Sequence, residues 1–242
     1  MKTVTHNGQT CIFEEEGHTY TIQETGQVLT SGTTFIKQFH QAFDGPKVAK
    51  KIAAKRGTTP EVLLAEWKEK GERASLQGSM VHEYAQWIYS DIDGPPYVID
   101  TDNRVGRLTV QLLQACDKLR EKGFEPVEAE KIIFSARLGI AGMIDLLMID
   151  PAGRVVVLDW KSNEKLTTNN SFETCFPPIE HLEYANLNLY ALQLSLYQFI
   201  LETENYFPVG QEFKRLIVHL TEDNHYLYAV KFLEDEIESL LI

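Results

Sequence analysis

The chain has 242 residues, of which 43% are hydrophobic, and carries a formal net charge of −12 at pH 7. This length and apolar content exclude a disordered chain and allow one sizeable core. Proteins that bind nucleic acid are more often basic, so the overall acidity argues against a surface that attracts DNA everywhere.

Targeting and cysteine patterns narrow the class of protein further. The first ten residues contain no apolar run, so we expect no secretory signal. No segment approaches the roughly 18 apolar residues that are needed to cross a membrane. Cys11, Cys116 and Cys175 lie far apart, which argues against a zinc site or a disulfide framework and predicts an intracellular, cytoplasmic location.

The N-terminal third begins with strand patterns and then becomes helical. Three short runs rich in strand-forming residues are separated by Glu-Gly and Thr-Gly turns, and they cover residues 11–13, 18–22 and 27–29. Helical patterns follow from residue 33 to residue 90. Thr59 is placed to cap a helix with Pro60 at its first position, and residues 74–90 predict another helix.

A basic segment lies within this helical region, at residues 46–56. It contains five cations and no acidic side chain, namely Lys47, Lys50, Lys51, Lys55 and Arg56. In a helix the four lysines fall largely on one side, where they would neutralise phosphates. An ordinary solvated helix face explains the same pattern equally well, and the sequence leaves both interpretations open.

The remaining two thirds alternate between strands and helices. Asn103 and Gly123 are typical residues for the two ends of a helix over residues 104–122. Strands are predicted at 127–136, 139–150, 154–162, 213–221 and 225–232, and helices at 183–203 and 233–242. This order predicts a mixed α/β (α+β) fold with a central mixed sheet flanked by helices. We expect a single domain over 1–242, with an N-terminal β-hairpin and basic helical part at 1–73 and a core at 74–242.

Two aspartates stand out on the second and third strands of the predicted meander. If residues 151–153 form a three-residue hairpin loop, Asp150 faces Arg154 and the pairing continues outward to place Asp145 opposite Asp159. Directly opposed residues have Cβ atoms about 4.5–5.5 Å apart. The hairpin therefore predicts two carboxylates that face each other across apolar strands.

Opposed carboxylates repel, and burying them requires a compensating charge. A divalent cation such as Mg²⁺ binds one or two carboxylates together with water and substrate phosphate. Lys161 shares a strand face with Asp159, whereas Trp160 points the other way, so a cation for a phosphate or an attacking water lies beside them. An ordinary ion pair between Asp159 and Lys161, with Asp145 capping a turn, is the alternative.

Four motifs in order resemble those of the PD-(D/E)XK nuclease superfamily, and of its RecB-like branch in particular. They are Gly78–His82, Gly142–Asp145, Asp159–Lys161 and Gln193–Tyr197. The rest of the chain has the general look of phage and mitochondrial exonucleases of this branch. The resemblance implies a restriction-endonuclease-like core in a bacterial or phage-encoded protein.

The resemblance also implies roles for the residues of the hairpin. Asp145 and Asp159 would bind Mg²⁺ or Mn²⁺ together with His82 and the backbone carbonyl of Trp160. Lys161 would be the catalytic lysine. A lone histidine is more often structural, so without the resemblance His82 would not be assigned to metal binding.

Three further polar residues are weighed in the same way. Gln193 and Tyr197 lie four residues apart on one helix face and would orient the catalytic residues or bind DNA near the cut. Simple helix packing is the alternative for both. Glu130, on the strand before the hairpin, could support the metal ligands, but the sequence favours a solvated face.

We therefore expect a Mg²⁺-dependent deoxyribonuclease, an exonuclease or end-processing enzyme of replication, repair or recombination. A restriction-like endonuclease and a non-catalytic member of the fold that binds DNA or a protein are the alternatives. Some RecB-like nucleases hold an iron–sulfur cluster with four cysteines, so three scattered cysteines predict none here. DNA and a replication or recombination protein are the expected partners, no membrane is expected, and the oligomeric state stays open.

Overall fold

The computed structural model describes residues 1–90, 92–170 and 173–242. Strands and helices in these ranges follow the predicted order. The strands are β1 Lys2–His6, β2 Gln9–Glu14, β3 Thr19–Ile22, β4 Val28–Ser31, β5 Glu125–Ser135, β6 Ile140–Ile149, β7 Val155–Lys161, β8 Phe213–Leu220 and β9 His225–Val230. The helices are α1 Gly32–Lys37, α2 Gly45–Arg56, α3 Pro60–Ile88, α4 Arg104–Glu121, α5 Asn186–Thr203 and α6 Glu234–Leu240. None of the described helices is long and apolar enough to cross a membrane.

All the strands of the described ranges join one mixed sheet. Strands β1 to β4 form an antiparallel meander, and β5, β6 and β7 form a second one. Strand β8 lies parallel to β7 because helix α5 carries the chain back across the sheet between them, as a parallel pair requires. The predicted fold class, a central mixed sheet flanked by helices, is confirmed.

The two faces of the sheet pack against different helices. Val155 and Val157 of β7 join a buried cluster with helices α5 and α6, whereas Val156 and Leu158 join a cluster with α3 and α4. Because both faces of β7 are covered, the strand is an unbroken apolar run up to Asp159 rather than an alternating one.

Two features differ from the sequence prediction. Residues 74–90 are not a separate helix, because α3 runs continuously from Pro60 to Ile88. Gly71 and Gly78 are tolerated inside it, since a glycine weakens a helix without breaking it as a proline would. Strand β1 was not predicted either, and it pairs with β2 along its whole length.

The edge of β6 that faces β7 is divided between two partners. Strand β4 pairs with Ile140 and Ala141, and β7 pairs with residues 146–149. Strand β5 follows the opposite edge over nearly the whole length of β6. Residues 142–145 therefore lie where β4 and β7 diverge, and this gap in the sheet leaves room for side chains from other elements.

Tyr197 of α5 fills part of that gap. A Cβ atom placed on Gly142 would lie 2.4 Å from Cε1 of Tyr197, and one placed on Gly32 would lie 2.7 Å from the same atom. The ring thus packs directly against two stretches of backbone. The glycine of the Gly142–Asp145 motif is required by this close approach.

We expect Gly142→Ala to destabilise the protein by about 1–3 kcal/mol, because an added methyl group must displace a buried ring. Gly71→Ala is the matched control, since its Cβ would meet no atom within 4 Å. It should stabilise α3 by about 0.5–1 kcal/mol. Urea unfolding of both variants measures the two effects. A Gly142→Ala variant as stable as the wild type would show that the Tyr197 ring moves aside without cost.

Candidate active site

The hairpin of β6 and β7 has the register that the sequence predicts. The Asp150 amide donates to the Arg154 carbonyl at 3.0 Å, and the ladder continues outward to Leu146 opposite Leu158. The next pair outward is Asp145 and Asp159. Their two carboxylates therefore come together at the point where β7 leaves β6.

The backbone of β7 holds Asp145 in place. The Trp160 amide donates a hydrogen bond of 2.8 Å to Oδ2 of Asp145. The Trp160 side chain points to the opposite face and packs, almost fully buried, among residues of α3 and α4. Trp160 thus fixes the Asp145 carboxylate through its backbone amide and packs against α3 and α4 through its ring.

Lys161 is bound tightly to Asp159. Its Nζ lies 2.9 Å from Oδ1 and 2.7 Å from Oδ2 of the carboxylate. The same ammonium lies 4.5 Å from the centre of the Tyr190 ring. Both side chains are largely buried, so the lysine has few other positions open to it.

Helix α3 brings His82 to the other aspartate. Its Nδ1 lies 3.4 Å from Oδ2 of Asp145. One turn earlier, Gly78 passes so close to Ser162 that an added Cβ would lie 3.3 Å from its Oγ. The absence of a side chain at Gly78 lets the helix approach the end of β7, and the His82 ring therefore reaches the carboxylates.

Glu130 joins the same cluster, and the expectation of a solvated face for it is wrong. Its neighbours Ala129 and Lys131 pair with Leu146 and Ile144, so Glu130 lies opposite Asp145 on the β5 side. Its side chain is only 18% exposed. Potential ligand atoms of Glu130, His82 and Asp145 all lie within 4.8 Å of one another.

The backbone of Glu130 is also unusual, with φ of 51°. A non-glycine residue in this left-handed region is uncommon and costs on the order of 1–3 kcal/mol, and such residues cluster at functional sites. From this position the Glu130 side chain turns toward Asp145 of β6. Strand alternation alone does not reveal this turn, which is why the sequence pattern missed it.

The acidic groups of the cluster perturb one another. Burial, together with the charge of Asp145, raises the pKa of Glu130 to about 6. Burial likewise raises the pKa of Asp159 to about 6, with Lys161 opposing the change and Asp145 adding to it. Burial alone would raise the pKa of Asp145 as well, but the charge and hydrogen bond of His82 lower it.

The two cations respond in the opposite direction. Burial alone would lower the pKa of His82, but the Asp145 carboxylate raises it to about 9. Burial would also lower the pKa of Lys161, but Asp159 and Asp145 raise it. The three acidic groups thus face His82 and Lys161 inside the cluster, with Lys2 3.9 Å from Glu130 at its edge, and two carboxylates converge where Glu130 meets Asp145.

This donor set fits a hard divalent cation. Carboxylate oxygens such as those of Asp145, Asp159 and Glu130 are the ligands that Mg²⁺ and Mn²⁺ prefer. Burial, and after it the charge of Asp145, disfavours ionisation of Glu130 and Asp159 and raises the pKa of both. A bound cation would relieve that repulsion.

The remaining motif lies on the face of α5 that borders the cluster. Gln193 donates a hydrogen bond of 3.0 Å from Nε2 to Oη of Tyr197. Burial raises the pKa of Tyr197 to about 12, so its hydroxyl keeps its proton at neutral pH. Both residues line a cleft of about 650 Å³ together with Asp145 and Asp159.

The predicted basic segment lies apart from these groups. Its cations are all exposed on α2, and none of them lines either of the two clefts described at the site; they are Lys47, Lys50, Lys51, Lys55 and Arg56. A second cleft, of about 810 Å³, is lined instead by Lys70, Arg73 and Arg104. Sequence reasoning missed these three because no dense basic run marks them.

Comparisons with known proteins cover most of the chain. A family model described as the PD-(D/E)XK nuclease superfamily matches residues 35–241. A solved structure from Eubacterium rectale, described as a "Putative exonuclease", shares 15% identity, with 90% of this chain and 79% of the other covered and a TM-score of 0.44. A protein designated SSO0001 shares 14% identity over 69% of this chain and 84% of its own, with a TM-score of 0.30. No curated protein matches the sequence.

We expect Glu130→Gln to raise the stability of the metal-free protein by up to about 2 kcal/mol at about pH 8. A carboxyl whose folded pKa is raised loses stability as pH rises from its unfolded pKa through its folded pKa. The advantage of the variant should therefore shrink as the pH of the unfolding measurement falls from about 6 through 4.5, and it should vanish at about pH 3, where Glu130 is protonated in both states.

The same variant should weaken stabilisation by metal. Thermal unfolding with and without Mn²⁺ should show a smaller shift for Glu130→Gln than for the wild type, because binding to the folded state alone raises its stability. Glu128→Gln is the control, since Glu128 lies on the same strand but pairs with Lys131 at 2.6 Å and is 48% exposed. Equal Mn²⁺ shifts in all three proteins would remove Glu130 from the metal site.

Proposed function

The chain belongs to the PD-(D/E)XK nuclease superfamily, and on that premise we propose that it is a Mg²⁺- or Mn²⁺-dependent DNA nuclease that works at DNA ends. The observation that carries the proposal is the convergence of Asp145, Asp159 and Lys161 beside His82 and Glu130 on an open cleft. A DNA-binding fold without activity has no need to bury this set of charges together.

Each residue has a distinct role in the proposed reaction. Asp145, Asp159 and Glu130 would hold the cation, with His82, after it releases its proton, and the Trp160 carbonyl as additional ligands. When bound, the cation supplies activation of water and stabilisation of charge that builds on the phosphate oxygens.

Lys161 keeps its proton, because the surrounding carboxylates raise its pKa, and it places a fixed positive charge beside the attacked phosphate. The Tyr197 hydroxyl, held by Gln193, is available to orient a group in the cleft. Gln193 and Tyr197 are uncharged at neutral pH and cannot supply the positive charge that Lys161 supplies. We therefore assign them to positioning the reacting groups.

An exonuclease or end-processing enzyme of replication, repair or recombination is the form of nuclease that we favour. Within the described ranges one sheet unites all the strands, and no separate unit is available to read a DNA sequence. A restriction-like endonuclease would use the same chemistry and is the second candidate, supported only by membership of the PD-(D/E)XK superfamily.

An assay of linear and covalently closed circular DNA tests the proposal. We expect linear DNA to be degraded with Mg²⁺ or Mn²⁺, circular DNA to resist, and a chelator to stop the reaction. Asp159→Asn and Lys161→Ala should each reduce the rate by at least about a hundredfold while remaining folded, since the first removes a ligand charge for the cation and the second the positive charge beside the reacting phosphate. Near-wild-type rates in either variant would show that the site is wrongly assigned, and cleavage of circles would favour the endonuclease.

The exposed cations of α2 should add general attraction for DNA. We expect the triple variant Lys50→Glu, Lys51→Glu and Lys55→Glu to bind every DNA sequence more weakly and with a flatter salt dependence. The control reverses the exposed Lys118, Arg120 and Lys122, which changes the net charge equally. These lie about 24 Å along α4 from its cleft end, at 1.5 Å per residue. Equal affinity and salt slope in both triple variants would reduce the α2 segment to a solvated face.

A further inference from the structure

Helix α2 and the first half of α3 form an arm that projects from the core. We define the arm as residues 45–76. Every residue from 65 to 76 is exposed except Trp67, which is partly buried. A small separate cluster of Ala49, Ala53 and Leu63 joins the two helices, with Trp67 packed against it.

The cleft of about 810 Å³ lies between this arm and the core. The arm contributes Trp67, Lys70 and Arg73, and the core contributes Tyr190 and Arg104. An ion pair of 3.0 Å between Lys70 and Glu164 joins the two sides. The cleft thus has an aromatic ring and cations on each wall.

Its lining is richer in cations than the protein as a whole, with Arg104 paired to Glu222 and Lys161 to Asp159 just outside it. Its lining holds four cations and one carboxylate, namely Lys70, Arg73, Arg104, Lys161 and Glu164. The smaller cleft, in contrast, holds the acidic cluster of Glu130, Asp145 and Asp159. In a chain with a net charge of −12, a positive cleft of this kind attracts a polyanion to one place.

The two clefts meet at the reacting groups. Both are lined by His82, Lys161 and Ala74. A strand lying in the larger cleft therefore leads directly to Lys161 and to the carboxylates beyond it. The larger cleft continues the proposed active site and is not a separate pocket.

The aromatic residues indicate which form of nucleic acid fits. Bases in a duplex are stacked on one another and expose only their edges, whereas unpaired bases can stack on protein rings. Trp67 presents a ring on the arm, and the 70% exposed Phe43 lies beside it, with ring centres 5.8 Å apart. Arg73 pairs with Glu69 at 3.9 Å, and because both side chains are exposed this pair is weak and can be exchanged for a phosphate.

We propose that the cleft between the arm and the core binds a single-stranded end, with Trp67 stacking on a base and Arg73 contacting the backbone. The inference rests on the proposed nuclease function and specifies its substrate as an unpaired strand. A duplex would be cut only after its end opens.

Fluorescence anisotropy with labelled oligonucleotides in a chelator measures binding without cleavage. Oligo-dT is the single-stranded probe, a hairpin with a blunt end is the duplex probe, and oligo-rU shows whether RNA is accepted. The variants are Trp67→Leu, which keeps an apolar contact but loses the ring, Trp67→Phe, which keeps a ring, and Arg73→Gln. Lys68→Gln is the matched control, because Lys68 lies on the same helix but outside the cleft and pairs with Glu72.

The wild type should bind oligo-dT at least about tenfold more tightly than the blunt hairpin. Trp67→Leu should lose at least about fivefold in affinity for oligo-dT, which is the smallest loss expected for one stacked base, and Trp67→Phe should recover most of it. Arg73→Gln should weaken binding and lower the salt slope, whereas Lys68→Gln should match the wild type.

Several outcomes separate this inference from the nuclease proposal. Equal affinity for hairpin and single strand, or unchanged oligo-dT affinity in both Trp67→Leu and Arg73→Gln, would overturn the single-strand site even if linear DNA is degraded. Tight, Trp67-dependent binding of oligo-dT, with no cleavage when Mg²⁺ or Mn²⁺ is present, would support the single-strand site and contradict the proposed nuclease function. Circular dichroism of Trp67→Leu checks its fold, and Arg73→Gln keeps the test valid if that variant misfolds.

Discussion

The repulsion among Asp145, Asp159 and Glu130 is the constraint on which the rest of this structure depends. Three carboxylates converge at one point of the sheet, and two of them keep a pKa of about 6 because burial and mutual charge disfavour ionisation. Lys161 offsets part of this charge from the sheet and His82 from a helix, and Lys2 lies 3.9 Å from Glu130 at the edge of the site. A divalent cation among the carboxylates would relieve the repulsion between them.

The sheet is interrupted where this charge is placed. Strands β4 and β7 diverge along one edge of β6, and the stretch from Gly142 to Asp145, which neither strand pairs with, accepts Tyr197 where a strand would otherwise pair. The left-handed backbone at Glu130 adds local strain on the other edge. Full pairing would be more stable but would leave no space for substrate, so stability and function compete at this point.

The local charge of the cleft, and not the net charge of the chain, decides where a protein of this kind can bind nucleic acid. The chain is strongly acidic, yet the cleft between the arm and the core is rich in cations and opens onto Lys161. A low-dielectric cleft concentrates the field of the groups that line it. The acidity of the remaining surface then disfavours binding elsewhere and directs a polyanion toward the site.

The sequence by itself determined the features that depend on residues close together in the chain. A three-residue loop and strand alternation were enough to place Asp145 opposite Asp159 with Lys161 beside it, and Asn103 was enough to begin α4. Only the tertiary structure decided that Glu130 joins the carboxylates, and that Lys70, Arg73 and Arg104 share one cleft. Turn chemistry and periodicity act over a few residues, whereas these groupings arise from packing between distant elements and from a strained backbone that no periodic pattern records.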